Sequence, residues 1–353
     1  MRKIFVFFAA IISFSFQGRA QDSTATAFHI AVPSGGFLYN NEFTSPIQKG
    51  YTLPGVYSNP QVVFKNITWT LAGGIHLLKY NGEGRWNITR PFLQLQYQPL
   101  SRLNIILGRL QARDNHKLPD ILYHKERQIT QQAQEGLQFR WQDTHTFADL
   151  WIDWEHFISA GDSAQERFVL GSSNTLSLPG NFKLILRGIA AHRGGEINKG
   201  VAQVQTLLNG QAGISWQAWR HQNNNLTFSF STFGFYNASP KVTLAYQQGY
   251  LVQAGSRFRF RKWDIGASYL HGSDFISARG NPLYQSISKA YPGRKFSQRQ
   301  MLHGKVMYCK SIGEQLTFHL GGEVWQHLQL QELDYRYWFS LTIKPAWKAA
   351  IPW

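Results

Sequence analysis

Between Glu332 and Ile343 the chain alternates without interruption. Leu333, Tyr335, Tyr337, Phe339, Leu341 and Ile343 fall on one side; Asp334, Arg336, Trp338, Ser340 and Thr342 fall on the other. Successive residues of a strand point to opposite faces, so this stretch reads as a β-strand with one apolar and one polar surface. Similar alternation recurs. Leu93/Leu95/Tyr97 stand against Gln94/Gln96/Gln98, Leu137/Phe139/Trp141 against Gln138/Arg140/Gln142, and Phe258/Phe260 against Arg257/Arg259/Arg261. Period-two patterning of this kind marks half-buried strands. The runs fall at about 61–80, 90–98, 102–111, 134–142, 146–157, 166–176, 181–192, 205–219, 226–236, 249–261, 263–271, 299–310, 314–327 and 332–343.

The connections between these fourteen runs obey a parity. Those after even-numbered runs are short: Pro99–Ser101, Asp143–His145, Ser177–Gly180, Arg220–Asn225, Lys262 and Ser311–Gly313. Those after odd-numbered runs are mostly long: Asn81–Thr89, Ala112–Ala133, Ile158–Gln165, Arg193–Gln203, Asn237–Gln248, Gly272–Gln298 and Leu328–Gln331. Short turns at one end and long loops at the other are the signature of a bacterial outer-membrane barrel. The expected fold is therefore all-β: a transmembrane antiparallel up-and-down barrel of about 14 strands (12–16), with both termini in the periplasm.

The N-terminus fits that address. Arg2 and Lys3 precede the apolar run Ile4 to Phe16, and Gly18-Arg19-Ala20 puts small residues where a signal peptidase cuts. Residues 1–20 read as a signal peptide, too short in their apolar part to span a bilayer as a helix. Residues 21–60 are expected to form a periplasmic arm, an extra strand or a lumen plug, residues 61–343 the barrel, and residues 344–353 a periplasmic tail. Aromatic residues make up 15% of the chain, yet mean hydropathy is −0.31, because apolar and polar residues interleave. A barrel with a wet lumen requires that combination, whereas a helical membrane protein excludes it. Cys309 is the only cysteine, so no internal disulfide forms and no thiolate metal site is supported. The net charge of +16 comes from scattered residues rather than a patch, which argues for anionic solutes or lipid head groups over nucleic acid.

If the apolar faces meet lipid, register sends the polar faces into the lumen. The basic pore-lining candidates are Arg140, Lys183, Arg187, Arg257, Arg259, Arg261, Lys305 and Arg336, with His303 and His319 near them. The acidic ones are Asp149, Asp153, Glu155, Glu323 and Asp334. The arginine row of 257–261 is expected to face the carboxylate row of 149–155 across the pore. Charged linings set channel selectivity, although a wet lumen also simply tolerates charge. The long loop 272–298 offers Phe275, Arg279, Tyr284, Tyr291 and Arg294 as candidates for ligand contact, with loop packing as the plainer alternative.

Catalytic motifs are weak. Gly161-Asp162-Ser163 resembles part of an esterase elbow but lies in a loop of a β-protein. His271 and Ser273 combine a base with a nucleophile, at a sequence separation that rarely brings the two within reach of each other. No histidine cluster has metal-ligand spacing.

The stretches Asp149-Leu150-Trp151-Ile152-Asp153-Trp154 and Glu166-Arg167-Phe168-Val169-Leu170-Gly171-Ser172-Ser173 resemble a pattern in outer-membrane β-barrel proteins of Bacteroidota. Gly280-Asn281-Pro282-Leu283-Tyr284 is similar to a Gly-Asp-Pro-aromatic-Tyr element there, with Asn281 as the departure. The resemblance implies fold and location and brings no activity with it. The sequence alone thus leads to a monomeric, porin-like outer-membrane channel for small hydrophilic, preferentially anionic solutes, with no enzymatic activity, cofactor or metal. Its expected partners are outer-membrane lipid, surface glycolipid and the barrel assembly machinery. The alternatives are an uptake channel for a hydrophobic or sugar-derived ligand with an N-terminal hatch, a surface or assembly barrel, and, with least support, a barrel hydrolase.

Overall fold

A computed structural model describes residues 27–112, 116–130, 133–159, 161–162, 164–194, 203–239 and 241–349. Residues 1–20, expected to be a signal peptide, Ser163 and the last residues of the expected C-terminal tail lie outside the described residues. The described residues form one antiparallel sheet closed on itself. Its segments are β1 (Ala27–Ala31), β2 (Ser34–Glu42), β3 (Tyr51–Ser58), β4 (Gln61–Lys65), β5 (Trp69–Tyr80), β6 (Ile88–Leu100), β7 (Leu103–Arg109), β8 (Glu135–Gln142), β9 (Thr146–His156) and β10 (Arg167–Leu178). They continue as β11 (Phe182–Arg193), β12 (Gln205–His221), β13 (Asn224–Asn237), β14 (Gln248–Phe260), β15 (Trp263–Ser273), β16 (Gln298–Ile312), β17 (Leu316–His327), β18 (Glu332–Ile343) and β19 (Ala346–Ala349).

Three pairs of segments are single strands broken at a proline. Pro33 separates β1 from β2, Pro60 separates β3 from β4, and Pro345 separates β18 from β19. The barrel therefore has sixteen strands, the upper end of the expected 12–16 rather than its centre at about fourteen. The difference has two sources. Residues 27–58 supply wall rather than a hatch, and the run 61–80 divides at 66–68 into β4 and β5. Closure is made by β2 against β18, with Phe37 opposite Ser340 and Asn41 opposite Arg336. The sheet then runs past Ile343, where β19 pairs with β1.

The three prolines stand at one level in adjacent strands, because Val32-Pro33 faces both Lys344-Pro345 and Asn59-Pro60. Proline has no N–H to give the ladder. Each carbonyl is nonetheless used: Pro345 O accepts from Val32 N (3.0 Å), Pro33 O from Asn59 N (2.8 Å) and Pro60 O from Ile75 N (3.1 Å). The strands bend there without stranding an acceptor.

Side chains alternate as register requires. On β18 the tyrosines and Phe339 are exposed, while Asp334 and Arg336 are buried. Phe139, Leu150, Leu170, Leu186, Phe230, Leu302 and Val324 extend the exposed apolar band round the barrel. A continuous apolar belt of this extent belongs in lipid. Among the described residues no helix is long and apolar enough to cross a membrane. Short turns and both ends of the described chain lie at one end of the barrel. The loops 110–134 and 274–297 lie at the other.

Those two loops fold into the lumen and form a plug. Leu118, Ile121, Leu122 and Tyr123 from the first pack with Phe275, Leu283, Tyr284 and Phe296 from the second. Wall residues Trp151, Val169, Phe233, Leu251 and Trp325 complete the cluster, together with Ile47 from the 43–50 turn. The backbones are tied directly, His124 N to Arg279 O (2.8 Å) and Asn281 N to Asp120 O (2.8 Å).

At the plug, β7 and β8 turn out of the wall at opposed glycines, Gly108 and Gly136. Gly108 has φ +85°, and a Cβ there would run into the Leu93 carbonyl oxygen; one at Gly136 would meet that of Ile152. Only glycine permits this approach. Gly108→Ala is therefore expected to cost about 1–3 kcal/mol through left-handed strain and collision. A lowered temperature of the folded-to-unfolded band shift on gels would register it; an unchanged shift would refute this account of the bend.

Candidate functional site

The buried charges are organised around Arg336. Its guanidinium lies 2.5 Å from Glu323 Oε2 and 3.6 Å from Asp120 Oδ2, against the rings of Trp325 and Trp338. Glu323 also meets Lys125 Nζ (3.0 Å) and Lys305 Nζ (3.6 Å). Three of these charges come from the wall strands β16, β17 and β18 and two from the plug, so the cluster fastens the plug to the barrel. Asp120 joins the loops as well: its Oδ1 accepts from Lys125 N (2.8 Å) and its Oδ2 from Asn281 Nδ2 (2.8 Å). Burial pushes the Asp120 carboxyl up, but Arg336, His124 and Lys125 outweigh it and hold the group below its ordinary value.

A second tie stands beside the first. Glu155 takes Arg127 from the four-residue helix α1 (Arg127–Thr130) at 2.7 Å, and Arg279 at 2.9 Å. Asp334 accepts from Thr44 N (2.7 Å), Ser45 N (2.9 Å) and His327 Nε2 (2.9 Å), which pins the 43–50 turn. Asn209 clamps the second loop, giving Nδ2 to Ile276 O (2.7 Å) and taking Ala278 N (3.0 Å). His116 stacks on Trp151 at 3.8 Å, with its nitrogens at Asp149 (3.0 Å) and Gln134 (3.2 Å).

The sequence-derived candidates thus separate into groups. Arg336, Glu323 and Lys305 converge. Arg140 reaches Asp149 (3.2 Å), and Asp153 accepts from Glu135 N (3.1 Å). Arg187 donates to Gln211 (3.0 Å) with no carboxylate beside it, and Lys183 is exposed near the short-turn end. The row 257–261 does not face the carboxylates of β9. Arg257 binds Asp264 on the next strand, Arg259 lies 3.5 Å from the same carboxylate, and Arg261 sits in the turn over Phe260. Asp264 lies two positions beyond the turn on β15, nearer than any residue of β9, and it satisfies the row locally. In the loop, Phe275 and Tyr284 are buried in the plug and Arg279 is bound to Glu155, which leaves Tyr291 and Arg294 at the surface. His271 and Ser273 stand side by side on the outer face of β15 with no hydrogen bond between them; His271 makes its ring contact with Tyr250. Lys125, Asp120, His116 and Asn209 escaped the sequence reading. The first three lie in a loop without periodicity, and Asn209 looks like any lumen amide.

Below the plug, toward the short turns, a chamber of about 910 Å³ opens. Its charged lining is Arg109, Lys125, Arg127, Arg140, Lys305 and Arg336, and Tyr39, Tyr57, Tyr123 and Trp338 stand among them. Among the described residues no carboxylate lines it. A second cavity of about 540 Å³, rich in glutamine, shares Gln111 with it.

The sequence profile of a family described as lipid A 3′-O-deacylase-type matches residues 20–350. The chain belongs to that family. No curated protein matches it. Among solved structures it is similar to a loop-deletion mutant of OmpT, an outer membrane protein of Vibrio cholerae. Identity is 7%, the TM-score 0.52, and the match covers 91% of this chain and 100% of that one. It is also similar to a BenF-like porin from Pseudomonas fluorescens, with 11% identity, a TM-score of 0.50, and coverage of 91% and 99%. At such identities the likeness concerns the fold, which is that of outer-membrane barrels.

Removing the Glu323 charge tests the fastening of the plug. Breaking a buried ion cluster typically costs about 3–5 kcal/mol. Glu323→Gln should therefore expose new tryptic cuts after Lys125 and Arg127 in the folded barrel; unchanged digestion would refute the role. Acid should act in the same direction. A carboxyl held below its ordinary value stabilises the fold above that value and stops doing so as pH falls through its own lowered one. Hydrogen exchange across 116–130 should accelerate below about pH 3.9, the ordinary Asp value, and less so in Asp120→Asn.

Proposed function

We propose that the protein is an outer-membrane channel, its termini periplasmic, that passes small hydrophilic anions through a chamber stoppered by its own loops. The observation that carries this reading is the chamber lining, six cationic side chains with no carboxylate among the described lining residues; five are backed by Glu323, Glu155 or Asp149 behind the lining, and Arg109 is not. In a low-dielectric enclosure one sign of charge focuses the potential and concentrates counter-ions. The aromatic rings among the cations suit a solute with a planar or sugar-like face. The plug is held by ion pairs and hydrogen bonds, and its displacement would join the chamber to the far side.

Planar-bilayer recordings in KCl gradients test this. The wild type should prefer chloride, and Glu323→Gln should conduct more often. Arg109 lines the chamber over Phe92 (4.0 Å) and among the described residues bonds no carboxylate. Arg109→Glu should cut the chloride preference by about half or more, whereas Arg257→Gln, beside Asp264, should change it little. Silence from both the folded wild type and Glu323→Gln would overturn the channel.

A second reading, cleavage of an acyl ester in a membrane glycolipid, is supported by the family's description. His271 and Ser273 do not supply its machinery, being unconnected on the lipid face. Mass spectra of lipid A incubated with the folded barrel test it directly: release of an acyl chain would favour this reading over transport.

A further inference from the structure

We propose that a gap in the barrel wall between β6 and β9 binds a single-chain amphiphile of the surrounding leaflet, one whose head carries a carboxylate and a neighbouring hydroxyl. Register defines the gap. β6 bonds β5 from Ile88 onward but meets β7 only from Gln94, and β8 meets β9 only as far as Asp153. Gly108 and Gly136 carry both short strands inward at this level. Residues 88–93 and 154–156 therefore flank an opening that no strand among the described residues fills. A cavity of about 300 Å³ occupies it, with His76, Arg90, Trp154 and Arg167 in its lining together with the carboxylates of Asp153 and Glu155.

Its chemistry follows from what is already engaged. Asp153 is bound by Gln134 and Glu135, and Glu155 by Arg127 and Arg279. Arg90 and Arg167 are exposed, and among the described residues neither meets a carboxylate. With the lining carboxylates Asp153 and Glu155 held by those other partners, the two arginines are left to meet an anion. His76 faces Arg90 directly across the β5–β6 pair and is 1% exposed. Its Nδ1 lies 2.7 Å from Asn59 Oδ1, an oxygen that also accepts from Arg109 (3.4 Å). In the neutral ring Nδ1 is thus the donor, and Nε2 offers a lone pair that no described residue takes. That lone pair calls for a hydroxyl beside the anionic group. At the foot of the gap Leu93 and Leu107 are 62% and 56% exposed on the outer face, where an acyl chain would lie. The cavity of about 300 Å³ has room for one carboxylate and its first methylenes. This site does not depend on the channel reading, although Gln134 lines both cavities.

Titration of the folded barrel in micelles with 3-hydroxydodecanoate, dodecanoate and dodecan-1-ol decides the matter. The hydroxy acid should bind at one equivalent, about tenfold tighter than the plain acid, as one buried hydrogen bond allows. The alcohol should not bind. Arg90→Gln with Arg167→Gln, both on exposed side chains, should weaken both acids at least tenfold, while Lys310→Gln, a distant exposed cation, leaves them unchanged. His76→Phe should abolish the hydroxyl preference and keep binding of the plain acid. Equal binding of the alcohol, an unaffected arginine double variant, or stoichiometric displacement by a diacyl phosphatidylglycerol would each overturn the proposal.

Discussion

A strand edge in hydrocarbon leaves N–H and C=O groups with no water to satisfy them, so the wall must close. Everything else in this molecule depends on the pairing of β2 with β18 that achieves it. Closure fixes the register, and register decides that Arg336, Glu323 and Asp334 point inward. Those inward charges give the loops something to grip. The plug is thus a consequence of closure, held by partners that exist only in a closed barrel.

The fastening of the plug shows why buried charge is tolerated here. Arg336 would be costly in an apolar lumen alone. Glu323 and Asp120 neutralise it, and two tryptophans cover it. The Gly280-Asn281-Pro282 element has a physical explanation in the same place. A Cβ at Gly280 would strike the Ile121 carbonyl, and Asn281 both caps the short helical turn at Pro282 and donates to Asp120. An aspartate at 281 would set two carboxylates against each other; asparagine supplies the missing donor.

Much of the wall was legible in the sequence, because alternation is a local property and the lipid face is apolar throughout. The first two strands were not. Pro33, Pro54 and Pro60 and the glycines around them interrupt the alternation, although the proline carbonyls accept bonds from the neighbouring strand. The inward position of Arg336, Glu323 and Asp334 could be deduced from period two. Their partners could not, since Lys125, Asp120 and Ser45 sit in loops whose path depends on packing. The arginine row misled for a related reason: charge on one face says nothing about a carboxylate on the adjacent strand that already answers it.

The inward turn of β7 and β8 also bears on the membrane. These strands have 7 and 8 residues, against 13 and 11 in their neighbours β6 and β9. At about 3.4 Å per residue and a tilt of about 40°, the rim dips there by about 8–16 Å. A bilayer matches its thickness to the protein it surrounds. A leaflet that follows the rim would have to thin on that side. The barrel does not sit in a uniform film; it marks one sector of its own boundary as the easiest place for a chain to leave the bilayer.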